Sequence, residues 1–254
     1  MKPDYFDLLS PEPIYLESVG GIISPTLKEI RTIGYHTYQM YLTILLLRPE
    51  SYFDMIRQTE YFNSLSADIK NKLNSFDLIT GNKEMCSITE HALNFFLEPD
   101  VRYSNTQKGF LLYDKHTPDI PAGVIHKDVW PQLCDIILQR NYIRQSGEQT
   151  SEIKSKRALA IMQKLKKGRE THTKKGISDK NMEIGNIISA VAGKSNSLNL
   201  INIWDITIYQ LWDSFYRIYN HNILDIQSIS VAVWGDKDNH FDAAGWFKSL
   251  NNDT

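Results

Sequence analysis

Residues 197–218 read SLNLINIWDITIYQLWDSFYRI, a stretch with two tryptophans, two tyrosines and a phenylalanine. Read as helix it spans about six turns. Trp204, Ile208, Leu211, Trp212, Phe215, Ile218 and Tyr219 then share one wide face, with Tyr209 and Tyr216 beside it and Asp205, Asp213 and Arg217 at its wet edge. Such a band exceeds the apolar stripe of roughly 100° expected of an ordinary surface helix. Part of it is expected to be core. The surplus is assigned to a protein-binding surface, because Trp and Tyr dominate interface hot spots.

Working outward, helical patterns dominate. Ser24 and Pro25 read as the cap and first position of a helix running to about Leu47. Pro49 opens a short helix, PESYFDMIRQT, and further helices are predicted near 66–79 and 83–97. FLLYD and AGVIH, joined by the turn-rich KHTPDIP, predict a small β-hairpin near 109–126. KDVWPQLCDIILQRNYI returns to helix. NMEIGNIISAVAGK forms another, ahead of the aromatic helix, and DIQSISVAVWGDKDNHFDAAGWFKSL reads as an apolar segment, a turn and an aromatic tail. The fold class is therefore mainly α, a multi-helix protein with one β-hairpin. Three parts are expected: residues 1–145, a basic helix and linker over 146–180, and an aromatic-rich helical part over 181–254.

The 254 residues are 42% hydrophobic and 23% charged, which fits a globular chain and disfavours wholesale disorder. A net charge of −2 argues against a protein that coats nucleic acid uniformly, though not against a local basic patch. Lys154, Lys156, Arg157, Lys164, Lys166, Lys167, Arg169, Lys174 and Lys175 form such a patch on a helix with one apolar stripe. Several cations along a helix neutralise phosphates. This patch nevertheless lacks interleaved aromatics for stacking and any recognised nucleic-acid motif. A solvated helix or linker is the plainer reading, and nucleic-acid binding through 154–175 is the alternative function.

Cys86 and Cys134 sit in separate apolar helical patterns, as small hydrophobes in a reducing interior. No apolar run approaches the roughly 18 residues of a membrane span, and the proline-broken acidic start is not a signal peptide. In GDKDNHFDAAGWF, Asp236, Asp238 and Asp242 mimic the start of a calcium loop. His240, Phe241 and Phe247 then occupy positions that need an oxygen ligand, glycine and glutamate. There is no zinc-binding histidine pair, Walker loop or nucleophile elbow. No catalytic residue, metal or cofactor is assigned, and no enzyme is expected.

Two blocks carry a resemblance: YFDLLSPEPIYLESVGGIISPTLKEIRTIGYHTYQMYLTILL at the start, and MEIGNIISAVAGKSNSLNLINIWDITIYQLWDSFYRI with SISVAVWG and FDAAGWFKSL near the end. Together they resemble tail-morphogenesis proteins of tailed phages and prophages of Gram-positive bacteria, some of which look like tail assembly chaperones. The resemblance implies a non-catalytic helical viral protein of the host bacterial cytoplasm, which holds a tail protein such as the tape measure during assembly. A structural virion component is a further alternative. Partner contacts are expected at Trp204, Tyr209, Trp212, Phe215, Tyr216, Trp234 and Trp246.

Overall fold

The computed structural model describes residues 2–56, 73–115, 117–143, 180–236 and 241–250. The chain is mainly α-helical with two small antiparallel sheets. It divides into two compact units, Met1–Arg144 with Thr207–Tyr209, and Gln145–Ile206 with Gln210–Thr254.

The first unit opens with α1 (Tyr5–Leu9), where Asp4 and Asp7 form a reciprocal capping box. A hairpin follows, with β1 (Ile14–Leu16) paired to β2 (Gly20–Ile22) in the register Ile14 to Ile22 and Leu16 to Gly20. Gly20 and Gly21 lie within β2, and the turn is Glu17–Val19. Gly21 is needed for close approach: a Cβ there would meet the Glu98 side chain.

Helix α2 (Leu27–Ile33) begins two residues later than expected. Thr26 is the N-cap and exchanges hydrogen bonds with Glu29, while Ser24 is buried and donates to the Arg140 carbonyl at 2.9 Å. The single helix expected to run to Leu47 breaks at Gly34, whose φ of +87° lies in the left-handed region; α3 (Tyr35–Leu45) resumes after it. Helices α4 (Pro49–Ile56), α5 (Ser75–Gly81) and α6 (Lys83–Phe96) follow. Asn82 ends α5 and caps α6, accepting from the backbone of Glu84 and Met85. Only the end of the helix expected at 66–79 falls among the described residues.

The expected hairpin is present but grows into a three-stranded sheet, β3 (Asp100–Ser104), β4 (Gly109–Asp114) and β5 (Thr117–Ile125). Most of KHTPDIP is strand rather than turn. Pro118 and Pro121 are tolerated because β5 pairs on one side only, with register shifts opposite Tyr113. Helix α7 (Trp130–Arg140) carries its proline in the first turn. The core joins Ile22, Ile79, Leu93, Phe96, Phe110, Ile125, Leu133 and Ile137, all essentially sealed from water. Phe76 meets Phe110 and Trp130 edge-on at 5.9 and 5.6 Å. Cys86 and Cys134 are free and buried, and burial pushes the Cys86 thiol up to about 11.

The second unit contains α8 (Ile184–Lys194), a short 3-10 turn at Ile203–Asp205, most of α9 (Ile208–Trp234) and a second 3-10 turn at Ala243–Phe247. The continuous helix expected over 197–218 does not form. Polar side chains capture the backbone first: Ser195 Oγ accepts from Ser197 and Leu198, and Asn199 Oδ1 accepts from Ile201 and Asn202. Thr207 is held as an isolated β-bridge to Thr26. The helix therefore starts at Ile208. It then runs through what had read as a separate apolar segment, stopping at Gly235 with φ +76°.

Candidate protein-binding surface

Helix α9 is built on a repeat of seven. Trp212, Tyr219, Ile226 and Val233 recur at every seventh position, and Phe215, Asn222 and Ile229 recur three residues after the first three of them. Residues so spaced form one stripe along a helix. Burial falls steadily along it. Ile208 and Leu211 are buried, Trp212, Phe215 and Tyr216 are half-buried, and Tyr219 is exposed. Further on, Ile226, Ile229, Val233 and Trp234 are 69%, 65%, 63% and 78% exposed. A solvated helix face normally carries charge. Between Ile218 and Trp234 the only charged side chain is Asp225.

The last described segment folds back on a different side of α9. Arg217 Nη1 donates to the Lys248 carbonyl at 2.6 Å, and His221 Nε2 lies 3.2 Å from the Trp246 carbonyl. Gly245 sits so near Leu224 that a Cβ would come within 3.2 Å of its Cδ1. Arg217, His221 and Leu224 stand at i, i+4 and i+7, roughly opposite the exposed stripe. Asp242 and Lys248 close the segment with a 2.6 Å ion pair, whose hydrogen bond holds the Asp242 carboxyl below its usual range. Trp246 and Phe247 pack edge-on at 5.0 Å and stay 54% and 59% exposed. The distal part of α9 thus has two apolar features, a stripe on one side and an aromatic pair on the other.

The residues expected to meet a partner are distributed unevenly over this arrangement. Tyr209 is buried and rests on Tyr142 at 5.0 Å. Trp212, Phe215 and Tyr216 form one half-buried ring cluster. Trp204 is off the helix, in the 3-10 turn, donating to the Leu200 carbonyl at 3.0 Å. Only Trp234 and Trp246 present most of their surface to solvent. Ile223, Ile226, Ile229, Val233 and Phe247 were missed. The repeat of seven would have found Ile226, Ile229 and Val233, since neither glycine nor proline interrupts the helix before Gly235. The basic patch Lys154, Lys156, Arg157, Lys164, Lys166, Lys167 and Arg169 lies outside the described residues.

Residues 173–251 match the family model described as the YomV second domain. YomV is a phage- or prophage-encoded protein of Bacillus, and the match is consistent with a phage-associated protein. It takes in the whole of α9 and the folded-back aromatic segment. No curated protein and no solved structure matches the chain.

The first unit offers less. A groove of about 480 Å³ beside the β1–β2 hairpin is lined by Tyr15, Glu98, Pro99, Leu112 and Lys115. The neighbouring Glu98 carboxylate raises the Tyr15 phenol above its usual value. Among the described residues no group of three or more His, Cys, Asp or Glu is placed to hold a metal, and no helix is long and apolar enough to cross a membrane.

Proposed function

We propose that this protein is a non-catalytic assembly factor of a phage or prophage tail, which holds a tail protein such as the tape measure through the apolar surface of its C-terminal unit. The observation that carries this reading is the exposed aromatic pair Trp246 and Phe247, pinned to α9 by Arg217, His221 and Leu224. Large aromatic side chains held in place give up little conformational entropy on binding, which is why they serve as interface anchors. An amphipathic helix of the partner would lay its apolar residues against them. The family match over 173–251 supports a phage setting, and it covers this surface.

The test is co-purification of the tagged full chain from cells that express its native gene neighbourhood. A tail protein recovered in stoichiometric amount, and lost on substituting both Trp246→Ala and Phe247→Ala with the helical content unchanged, is the expected result. Nucleic acid recovered at low salt and released at high salt, with no tail protein, would replace this reading with phosphate binding.

A further inference from the structure

We propose that the exposed stripe on the opposite side of α9 is covered by a second copy of this chain, the two α9 helices pairing in parallel and in register. This goes beyond the proposed function, which uses the other side of the helix.

Three observations single out a second copy. The first is the repeat itself, because Trp212, Tyr219, Ile226 and Val233 with Phe215, Asn222 and Ile229 have the spacing by which two parallel helices interlock. The second is charge. In a parallel pair the flanking positions of one helix face those of the other, and Asp225 would stand beside the second copy's Ser230 rather than another carboxylate. A strongly charged partner would find nothing complementary on this face.

The third is Asn222. It interrupts the stripe midway, and its side-chain amide makes no hydrogen bond within the described residues. An apolar partner would bury that amide unpaired, which is unfavourable. Register-matched pairing sets each Asn222 against its own copy, so that each amide both donates and accepts. A single polar residue in such a seam fixes register and copy number at some cost in affinity.

The area suits a weak pair. Taking about 200 Å² for a large apolar side chain, the exposed parts of Tyr219, Ile223, Ile226, Ile229 and Val233 come to roughly 600 Å². A standard interface takes about 800 Å² from each partner. Because the free seam is only about two heptads long, the pair is expected to be reversible. Trp246 and Phe247, on the far side of α9, stay open for the tail protein.

Sedimentation equilibrium of the full chain, at rising concentration, tests this. The expected mass climbs from 29.4 kDa toward twice that value. Ile226→Glu and Val233→Glu, both at exposed positions, are expected to weaken self-association at least ~10-fold with unchanged circular dichroism. Asn222→Ile is expected to tighten it and to admit larger assemblies. Val233→Cys should form an intermolecular disulfide on mild oxidation, because position 233 lies at the end of the stripe and meets itself in a parallel, in-register pair, whereas an antiparallel pair would set it against Tyr219. A monomer at every concentration, or a dimer indifferent to both glutamate substitutions, would overturn the proposal; a dimer without the cysteine cross-link would overturn the parallel arrangement. The co-purification experiment reads separately. A stable pair that recovers no tail protein leaves the seam standing and removes the proposed function, and a monomer that recovers it does the reverse.

Discussion

The Tyr38 hydroxyl donates a 2.8 Å hydrogen bond to Oδ1 of Asn141, 103 residues further along the chain, with both groups buried. The Asn141 amide in turn donates to the Ile137 carbonyl at 2.7 Å. This contact ties α3 to the end of α7 inside the first unit. Tyr38→Phe leaves the asparagine acceptor buried and unpaired. Its expected cost is about 1–3 kcal/mol, measured as a shift in the chemical denaturation midpoint with the denaturant slope unchanged.

Two buried acids give stability an alkaline limit. Burial raises the Cys134 thiol well above its ordinary 9.0 and the Tyr38 hydroxyl well above 10.0. In each case the folded value exceeds the unfolded one, so the contribution is complete below the unfolded pKa. It is lost as pH rises past 9.0 for the thiol and past 10.0 for the phenol, where the unfolded chain ionises first. Unfolding midpoints measured between pH 7 and 11 should therefore fall above about 9. Cys134→Ala should flatten the first part of that fall while lowering stability at neutral pH through the cavity it leaves.

Arg140 is fully buried, and its Nη2 donates to the carbonyls of Ser10 and Glu12 at 3.3 and 2.8 Å. Its Nε and Nη1 have no hydrogen-bond partner among the described residues, and burial lowers the guanidinium to about 10. A depressed base in the folded state means that the charge itself opposes folding at neutral pH, while the two carbonyl contacts and the packed stem favour it. Arg140→Ala removes both contacts and opens a cavity, at an expected ~3 kcal/mol. Limited proteolysis should then cut between residues 10 and 13 well before the rest of the unit. Arg140→Met keeps most of the packing and discards the charge, so it should cost markedly less.

Gly21 and Glu98 are coupled by space. A Cβ on Gly21 would collide with the Glu98 side chain, whose Cγ lies 3.0 Å from that point, while the Glu98 N–H donates to the Gly21 carbonyl at 2.9 Å. Gly21→Ala is expected to destabilise by about 1–3 kcal/mol. Glu98→Ala should return most of that loss in the double variant, a positive coupling in a double-mutant cycle.

The mainly helical class was legible in the sequence because periodicity and caps agree over long segments. Lys83–Phe96 shows this, capped by Asn82 and ending just ahead of Pro99. Other features depended on choices between competing local hydrogen bonds. Ser24 and Thr26 are both capable caps, and the tertiary contact of Ser24 with Arg140 decides for Thr26. The glycine, serine and asparagine of GKSN (193–196) signal a break, yet it extends further than they suggest, because Asn199 takes the backbone of Ile201 and Asn202 out of the helix. Strand β3 carries a short apolar-poor pattern, DVRYS, and becomes strand only by pairing with β4. Of the surface, the aromatic residues were legible by type, and Ile226, Ile229 and Val233 only by their spacing of seven, which does not tell core from exposed surface. Burial along a uniform stripe is decided by what lies against it, and composition carries no record of that.

The measurement that bears most directly on the central claim places a photo-crosslinking amino acid at position 246 of the full chain, in cells assembling tails from the native gene cluster. The expected result is an adduct with a single tail protein of that cluster, absent when the same probe sits at the buried Leu133. Adducts only with nucleic acid, or none while tails assemble normally, would contradict a partner-holding role for the aromatic surface.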